Sequence, residues 1–308
     1  MNVTVEYALS LWGLKGASYT LAAARENAVY RVEAAKGTYA LRLHRAGYRT
    51  DAELSSELHW MRACAQGRIV VPEPLPAASG DLLQIVGGIQ VDVLTWLEGA
   101  PLSEVMETLA PDARVAAFHS LGTRMAQMHA VCDAWTPPDG FTRPAWDIEG
   151  LLGASPLWDR FWENPALTEP EKQTLTTFRH TARNQLEAQH SRPDFGLIHA
   201  DLVPTNVMLN ANKVALIDFD DGGYGYRLFD VATAIFKVWD QPEARALLDG
   251  YSDRRALDMA QLDLFLALRA CSYVGWNITR GAEDPDRNAR FIATALTHVM
   301  RFMTQHGG

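Results

Sequence analysis

Residues 196–221 read Gly196-Leu197-Ile198-His199-Ala200-Asp201-Leu202-Val203-Pro204-Thr205-Asn206-Val207-Met208-Leu209-Asn210-Ala211-Asn212-Lys213-Val214-Ala215-Leu216-Ile217-Asp218-Phe219-Asp220-Asp221. Short apolar runs alternate here with polar clusters, the pattern of short strands separated by tight turns. Val207 to Leu209 and Val214 to Ile217, joined at Asn210 to Lys213, make a hairpin. That hairpin holds Asp201 and Asn206 at one end and delivers Asp218 to the same end. Singly, such acids and amides cap turns. Together, with Pro204 and flanking strands, they form a constellation.

Two carboxylates and an amide are hard oxygen donors of the kind magnesium prefers, and a carboxylate also accepts a proton. These are the parts that phosphoryl transfer uses, because the reacting phosphoryl group needs positioning and neutralisation of its charge more than covalent help. On this reading Asp218 and Asn206 hold the metal, and Asp201 orients the acceptor hydroxyl and takes its proton.

Upstream of this segment the chain reads mainly as strands. Ala28, Tyr30, Val32 and Ala34 alternate with Arg31 and Glu33, Tyr39, Leu41 and Leu43 alternate with Ala40, Arg42 and His44, and Ala35 to Gly37 joins the two runs into a hairpin. Between Asp51 and Ala65, Leu54, Leu58 and Met61 recur at helical spacing, and Gly67 ends that helix. A second hairpin, Leu82 to Val86 with Ile89 to Trp96, turns at Gly87-Gly88. Beyond Pro101 the pattern turns helical, with helices expected over 115–130, 169–189, 230–238 and 261–276. The expected fold class is α+β with two lobes: residues 1–92 form an antiparallel sheet with one helix, 93–99 connect, and 100–308 form a mainly helical lobe.

With 308 residues, 48% of them hydrophobic and 21% charged, the chain has ample material for a large core. A formal charge of -9 argues against nucleic acid or an anionic membrane surface as a general partner. No run approaches the roughly 18 apolar residues of a membrane span, and the first eleven residues do not form a secretory signal. The three cysteines lack zinc spacing and read as reduced core residues, which fits a cytoplasmic protein.

His199-Ala200-Asp201 with Asn206 five residues on, followed by Ile217-Asp218-Phe219-Asp220, resembles the H-G-D-x-x-x-x-N loop and I-D-F/W-x motif of aminoglycoside phosphotransferases, choline kinases and type II homoserine kinases. These are relatives of the protein kinases. The resemblance extends to Tyr39-Ala40-Leu41-Arg42, to Glu57, to Leu97-Glu98-Gly99, to the Gly122, Ala126 and His129 pattern, and to Asp230 in Phe229-Asp230-Val231-Ala232. It implies a protein-kinase-like fold and an ATP- and Mg2+-dependent transfer to a small-molecule hydroxyl. It places Asn27, Ala40, Arg42, Glu57, Thr95 and Leu97 at ATP, with Glu57 rather than Glu53 as the partner of Arg42, and gives His199 and Asp230 supporting roles. A protein-phosphorylating member and a catalytically idle nucleotide-binding scaffold are the alternatives.

Three positions depart from the family pattern. Arg42 stands where a lysine is usual, Ala22 to Asn27 lacks the glycines of a phosphate-covering loop, and Ala200 replaces a glycine, which asks for ordinary dihedrals there. For the acceptor, Tyr273, Trp276, Asn277 and Arg280 fall at i, i+3, i+4 and i+7 and are expected on one helix face. With Asp220 and Asp221 they would receive a hydroxylated amine or amino acid, Arg280 taking a carboxylate. The alternative is that Tyr273 and Trp276 pack the helix while Arg280 sits in water.

Overall fold

The computed structural model of the chain describes residues 2–24, 27–188, 194–211, 213–281 and 283–306. In order, it runs α1 (Asn2–Leu11), β1 (Ser18–Ala24), β2 (Ala28–Ala34), β3 (Gly37–Leu43), α2 (Asp51–Gln66), β4 (Gln84–Val86), β5 (Ile89–Thr95), β6 (Ala100–Pro101), α3 (Leu102–Val105) and α4 (Pro111–Ala134). There follow β7 (Ala145–Trp146), α5 (Ile148–Leu152), α6 (Glu169–Glu187), β8 (Phe195–Ile198), β9 (Val207–Asn210), β10 (Lys213–Leu216), β11 (Gly223–Tyr226), α7 (Arg227–Ile235), α8 (Pro242–Ser252), α9 (Leu262–Trp276) and α10 (Pro285–His306). The fold is α+β, as expected. Two compact units divide it, each assembled from three stretches of chain: 1–107 with 130–143 and 205–220, and 108–129 with 144–204 and 221–308.

The first unit is built on an antiparallel sheet in the order β1-β2-β3-β5-β4. Both expected hairpins are present, and the second turns through Gly87 and Gly88 at φ +60° and +83°, the left-handed pair that a two-residue hairpin turn requires. Helix α2 starts on a capping box in which Thr50 and Glu53 satisfy each other's backbone N–H. That use of Glu53 explains why it does not meet Arg42. Besides α2, the unit contains α1, whose Val5, Ala8 and Leu9 at i, i+3 and i+4 are buried against Val32, Leu41 and Val93. Val5 and Leu9 each contribute about 1.5–3 kcal/mol by leaving water, and the Ala8 methyl about 0.8 kcal/mol. Hairpin β9–β10 pairs Lys213 with Asn210 through Leu216 with Val207, and β6 adds to its edge.

The second unit is mainly helical. Gly122 of α4 lies so close to α8 that a Cβ there would stand 2.0 Å from the Leu247 carbonyl oxygen, so only glycine allows this approach. A small sheet, β7-β11-β8, carries the chain into residues 199–201. The C-terminal helix α10 buries Ile292, Ala295, Val299 and Phe302 along one stripe. All three cysteines are buried, and none is in a disulfide. No helix among the described residues is long and apolar enough to cross a membrane.

Candidate active site

Within the first unit, Arg42 of β3 is the hub of a buried charge network. Its Nε and Nη2 donate to the two carboxylate oxygens of Asp92 at 2.8 and 3.0 Å, and Nη1 donates to Glu57 Oε1 at 2.9 Å. His44 Nε2 lies 2.6 Å from Asp92 Oδ2, and Arg143 lies 3.6 Å from Glu57 Oε2. Burial works against the charge of Arg42, yet Asp92 and Glu57 hold it more firmly protonated than a free arginine. Burial alone would also raise Asp92; Arg42 and His44 reverse this and bring it to about 2. Glu57 is lowered in the same way, burial being outweighed by Arg42 and Arg143.

This network revises what an arginine at position 42 is for. A lysine offers one ammonium and cannot fork onto Asp92 while reaching Glu57. Arg42→Ala, which leaves two buried carboxylates uncompensated, is expected to cost about 3–5 kcal/mol in urea denaturation. Arg42→Lys is expected to fall between that variant and wild type in stability and in KM for ATP. A lysine variant equal to wild type in both would show that the fork is dispensable.

Asn206 and Asp218 flank the end of the β9–β10 hairpin, where the N–H of Ile217 donates to the Asn206 carbonyl at 3.0 Å. Asn206 is buried and Asp218 is exposed, with φ at +67°. Beyond Asp218, Phe219 packs edge-on against Trp60 of α2, and Arg143 Nη2 donates to both the Phe219 and Asp220 carbonyls at 2.8 and 2.6 Å. Arg49 donates to Asp220 Oδ1 and to its carbonyl. Burial and the nearby Glu57 raise the Asp220 carboxyl. The segment after Asp218 is thus tied to α2 from two sides. No cluster of three His, Cys, Asp or Glu able to cage a metal occurs among the described residues. Two oxygen donors on one hairpin end fit magnesium, which keeps waters and phosphate oxygens as its other ligands.

Within the second unit, β8 leads into the turn that presents Asp201. Asp230 of α7, fully buried, accepts the backbone N–H of His199 at 3.0 Å and of Ala200 at 2.8 Å. It also pairs with His129 Nε2 at 3.0 Å, and His129 Nδ1 is 2.8 Å from the Tyr251 hydroxyl. Burial pushes His129 down to about 4, so it is neutral near pH 7. Asp230 braces the turn as a carboxylate.

The dihedrals at Ala200 are not ordinary, contrary to the sequence expectation: φ is +64°, the left-handed region that glycine enters freely and alanine does not. Two N–H bonds to Asp230 impose it. Changing a fully buried alanine to glycine ordinarily loses about 0.8 kcal/mol of methyl burial and 0.5–1 kcal/mol of chain entropy. At this position relief of about 1–2 kcal/mol of strain offsets both. Ala200→Gly is therefore expected to be near-neutral in urea denaturation, and a loss of about 1.5 kcal/mol would contradict the strain.

Asp201 itself is reached by Arg269 of α9, whose Nη2 donates to Oδ1 at 2.7 Å. The same Nη2 donates to the Tyr273 hydroxyl at 2.9 Å, and the Tyr273 ring stacks on Phe291. Helix α9 ends at Trp276, so Asn277 and Arg280 do not continue its face as the spacing suggested; the chain leaves the helix at Asn277. Arg280 lies over the Trp276 ring at 4.4 Å and donates to the Trp276 carbonyl at 3.1 Å. The Asp221 carbonyl accepts from Trp146 Nε1 at 2.8 Å. Of the remaining expected ATP residues, Asn27 Oδ1 accepts from the Arg45 N–H and Thr95 Oγ1 from the Glu73 N–H. Ala40 is buried beside Arg42 on β3, and Leu97 is half-buried. Arg25 and Glu26 of the glycine-poor segment lie outside the described residues.

Asp92, His44, Arg143 and Arg269 escaped the sequence reading. Asp92 among Val91, Val93 and Leu94, and Arg269 after Leu264 to Leu268, are lone charges in apolar runs, which is a signal in itself.

The family model described as "Phosphotransferase enzyme family" matches residues 20–265. The chain belongs to that family. This phosphotransferase is 27% identical to the amicoumacin kinase of Bacillus subtilis, over 79% of this chain and 75% of the relative. It is also 27% identical to the homoserine kinase of Rhizobium meliloti, over 83% and 76%. Among solved structures, a microcompartment-associated aminopropanol kinase superposes with a TM-score of 0.82 at 27% identity, covering 100% of this chain and 99% of that one. The resemblance drawn from the motifs, and the protein-kinase-like fold it implied, are those of the phosphotransferase family.

Proposed function

We propose that this phosphotransferase moves the γ-phosphoryl group of ATP to the hydroxyl of a small amine-bearing molecule. Asp201 accepts the hydroxyl proton, and Asn206 and Asp218 are the magnesium ligands. The observation that carries this is the Ile217 to Asn206 backbone bond, which closes the hairpin end that Asn206 precedes and Asp218 follows, inside the family match. Magnesium supplies neutralisation of phosphate charge. Arg42, oriented by Asp92 and Glu57, adds a fixed positive charge for ATP, with Asn27, Ala40, Thr95 and Leu97 as its further contacts. In this reading residues 1–92 carry the nucleotide contacts, 93–99 the connection, and 100–308 the catalytic loop and acceptor residues. His199 and Asp230 support the loop.

For the acceptor, Trp276, Tyr273, Asp220 and Asp221 remain the proposed surroundings. Arg280 is engaged with the end of α9, which favours an amino alcohol over a hydroxy amino acid whose carboxylate would need that arginine. The net charge of -9 favours a cationic small molecule over nucleic acid or an anionic membrane. Screening amino alcohols, hydroxy amino acids, aminoglycosides and sugars for ATP consumption tests the reading. Stimulation by 1-amino-2-propanol or ethanolamine above L-homoserine is expected. Stimulation by a neutral sugar or a protein alone would overturn the acceptor class.

A further inference from the structure

Arg269 is a fully buried arginine in the most apolar helix of the second unit, flanked by buried Leu266, Ala267, Leu268, Ala270 and Cys271. Burying a guanidinium costs several kcal/mol unless its charge and its N–H groups are matched. Here the match is specific. The guanidinium lies over the rings of Trp158 at 4.7 Å and Tyr273 at 4.2 Å. Nη2 donates to Asp201 Oδ1 and to the Tyr273 hydroxyl, and Nη1 donates to the Ala200 carbonyl at 3.4 Å. Nε has no hydrogen-bond partner among the described residues.

The turn at 199–201 is therefore held from two directions. Asp230 takes its N–H groups, and Arg269 takes the Ala200 carbonyl and one oxygen of the Asp201 carboxylate. A hydrogen bond to a guanidinium that is itself buried against two rings restricts where that carboxylate oxygen can sit. The side chain of Asp201 is 24% exposed while that of Arg269 is fully buried, so substrates can reach the acid and not the arginine.

We infer that Arg269 is the positioning residue for Asp201, fixing the carboxylate so that its proton-accepting oxygen meets the acceptor hydroxyl. The inference rests on the reading of Asp201 as the base. It assigns the cost of losing Arg269 to kcat, because the hydrogen bonds of Arg269 go to Asp201, to the Ala200 carbonyl and to Tyr273, and misplacement of a catalytic group by about 1 Å is enough to lose about 100-fold.

The test compares Arg269→Lys, Arg269→Met and Tyr273→Phe, each alone and in an Asp201→Asn background, with ATP and 1-amino-2-propanol as substrates and with melting temperature measured throughout. Arg269→Lys is expected to lose about 100-fold in kcat at unchanged KM for ATP, with a smaller loss for Tyr273→Phe. Neither change should lower kcat further once Asp201 is asparagine, the signature of coupled residues. Should Arg269→Met fail to fold, the lysine and phenylalanine variants carry the comparison. Wild-type kcat in Arg269→Lys, while Asp201→Asn is inactive, would overturn the positioning role and leave the base intact. Losses that add in the Asp201→Asn background would overturn it as merely structural. Wild-type kcat in Asp201→Asn would overturn the reading beneath it.

Discussion

Replacing Asp201 with asparagine is expected to lower kcat by roughly 10²–10⁴-fold, the usual worth of a general base, and to leave Mg-ATP binding near wild type. The amide oxygen of asparagine can still accept from Arg269 Nη2, so the turn and the fold should survive. What is lost is the ability to take a proton. Steady-state kinetics and calorimetric titration with Mg-ATP separate the two effects, since a binding defect would raise KM and leave chemistry intact. A variant with near wild-type kcat would exclude Asp201 as the base.

Asp218 calls for asparagine rather than alanine as the substitute. With φ at +67°, the position tolerates asparagine better than alanine, so Asp218→Asn changes the charge without adding backbone strain. Because Asp218 is exposed, little stability is at stake. Magnesium-dependent ATP binding is expected to weaken by roughly 100-fold or more, beyond the 10–100-fold typical of residues that act one shell further out. Calorimetry in the presence and absence of magnesium reads this directly. Unchanged Mg-ATP affinity would remove Asp218 from the metal site.

The sequence was most informative where periodicity or turn chemistry had a single solution. The period-2 runs of β2 and β3, the Gly87-Gly88 turn and the hairpin between Asn210 and Lys213 all occur where read. Helix α10 is equally legible in the helical spacing of Ile292, Ala295, Val299 and Phe302. The left-handed backbone at Ala200 could not be read, because alanine carries no mark of it; Asp230 imposes it from 30 residues away. Nor could the partners of Arg42 be complete. Asp92 lies on a neighbouring strand whose pairing places residue 92 opposite residue 42, a register that no local pattern encodes. Arg49 and Arg143 lie outside regular elements, where spacing has no meaning, yet they anchor the segment after Asp218.

The central claim is transfer of a phosphoryl group from ATP to a small hydroxyl. The most direct test is the phosphorus NMR spectrum of the protein incubated with Mg-ATP and 1-amino-2-propanol. The account predicts a new phosphomonoester resonance, coupled to the carbinol proton and growing in step with ADP. ADP accompanied by inorganic phosphate alone, with this and every other hydroxylated small molecule of the panel supplied, would contradict it.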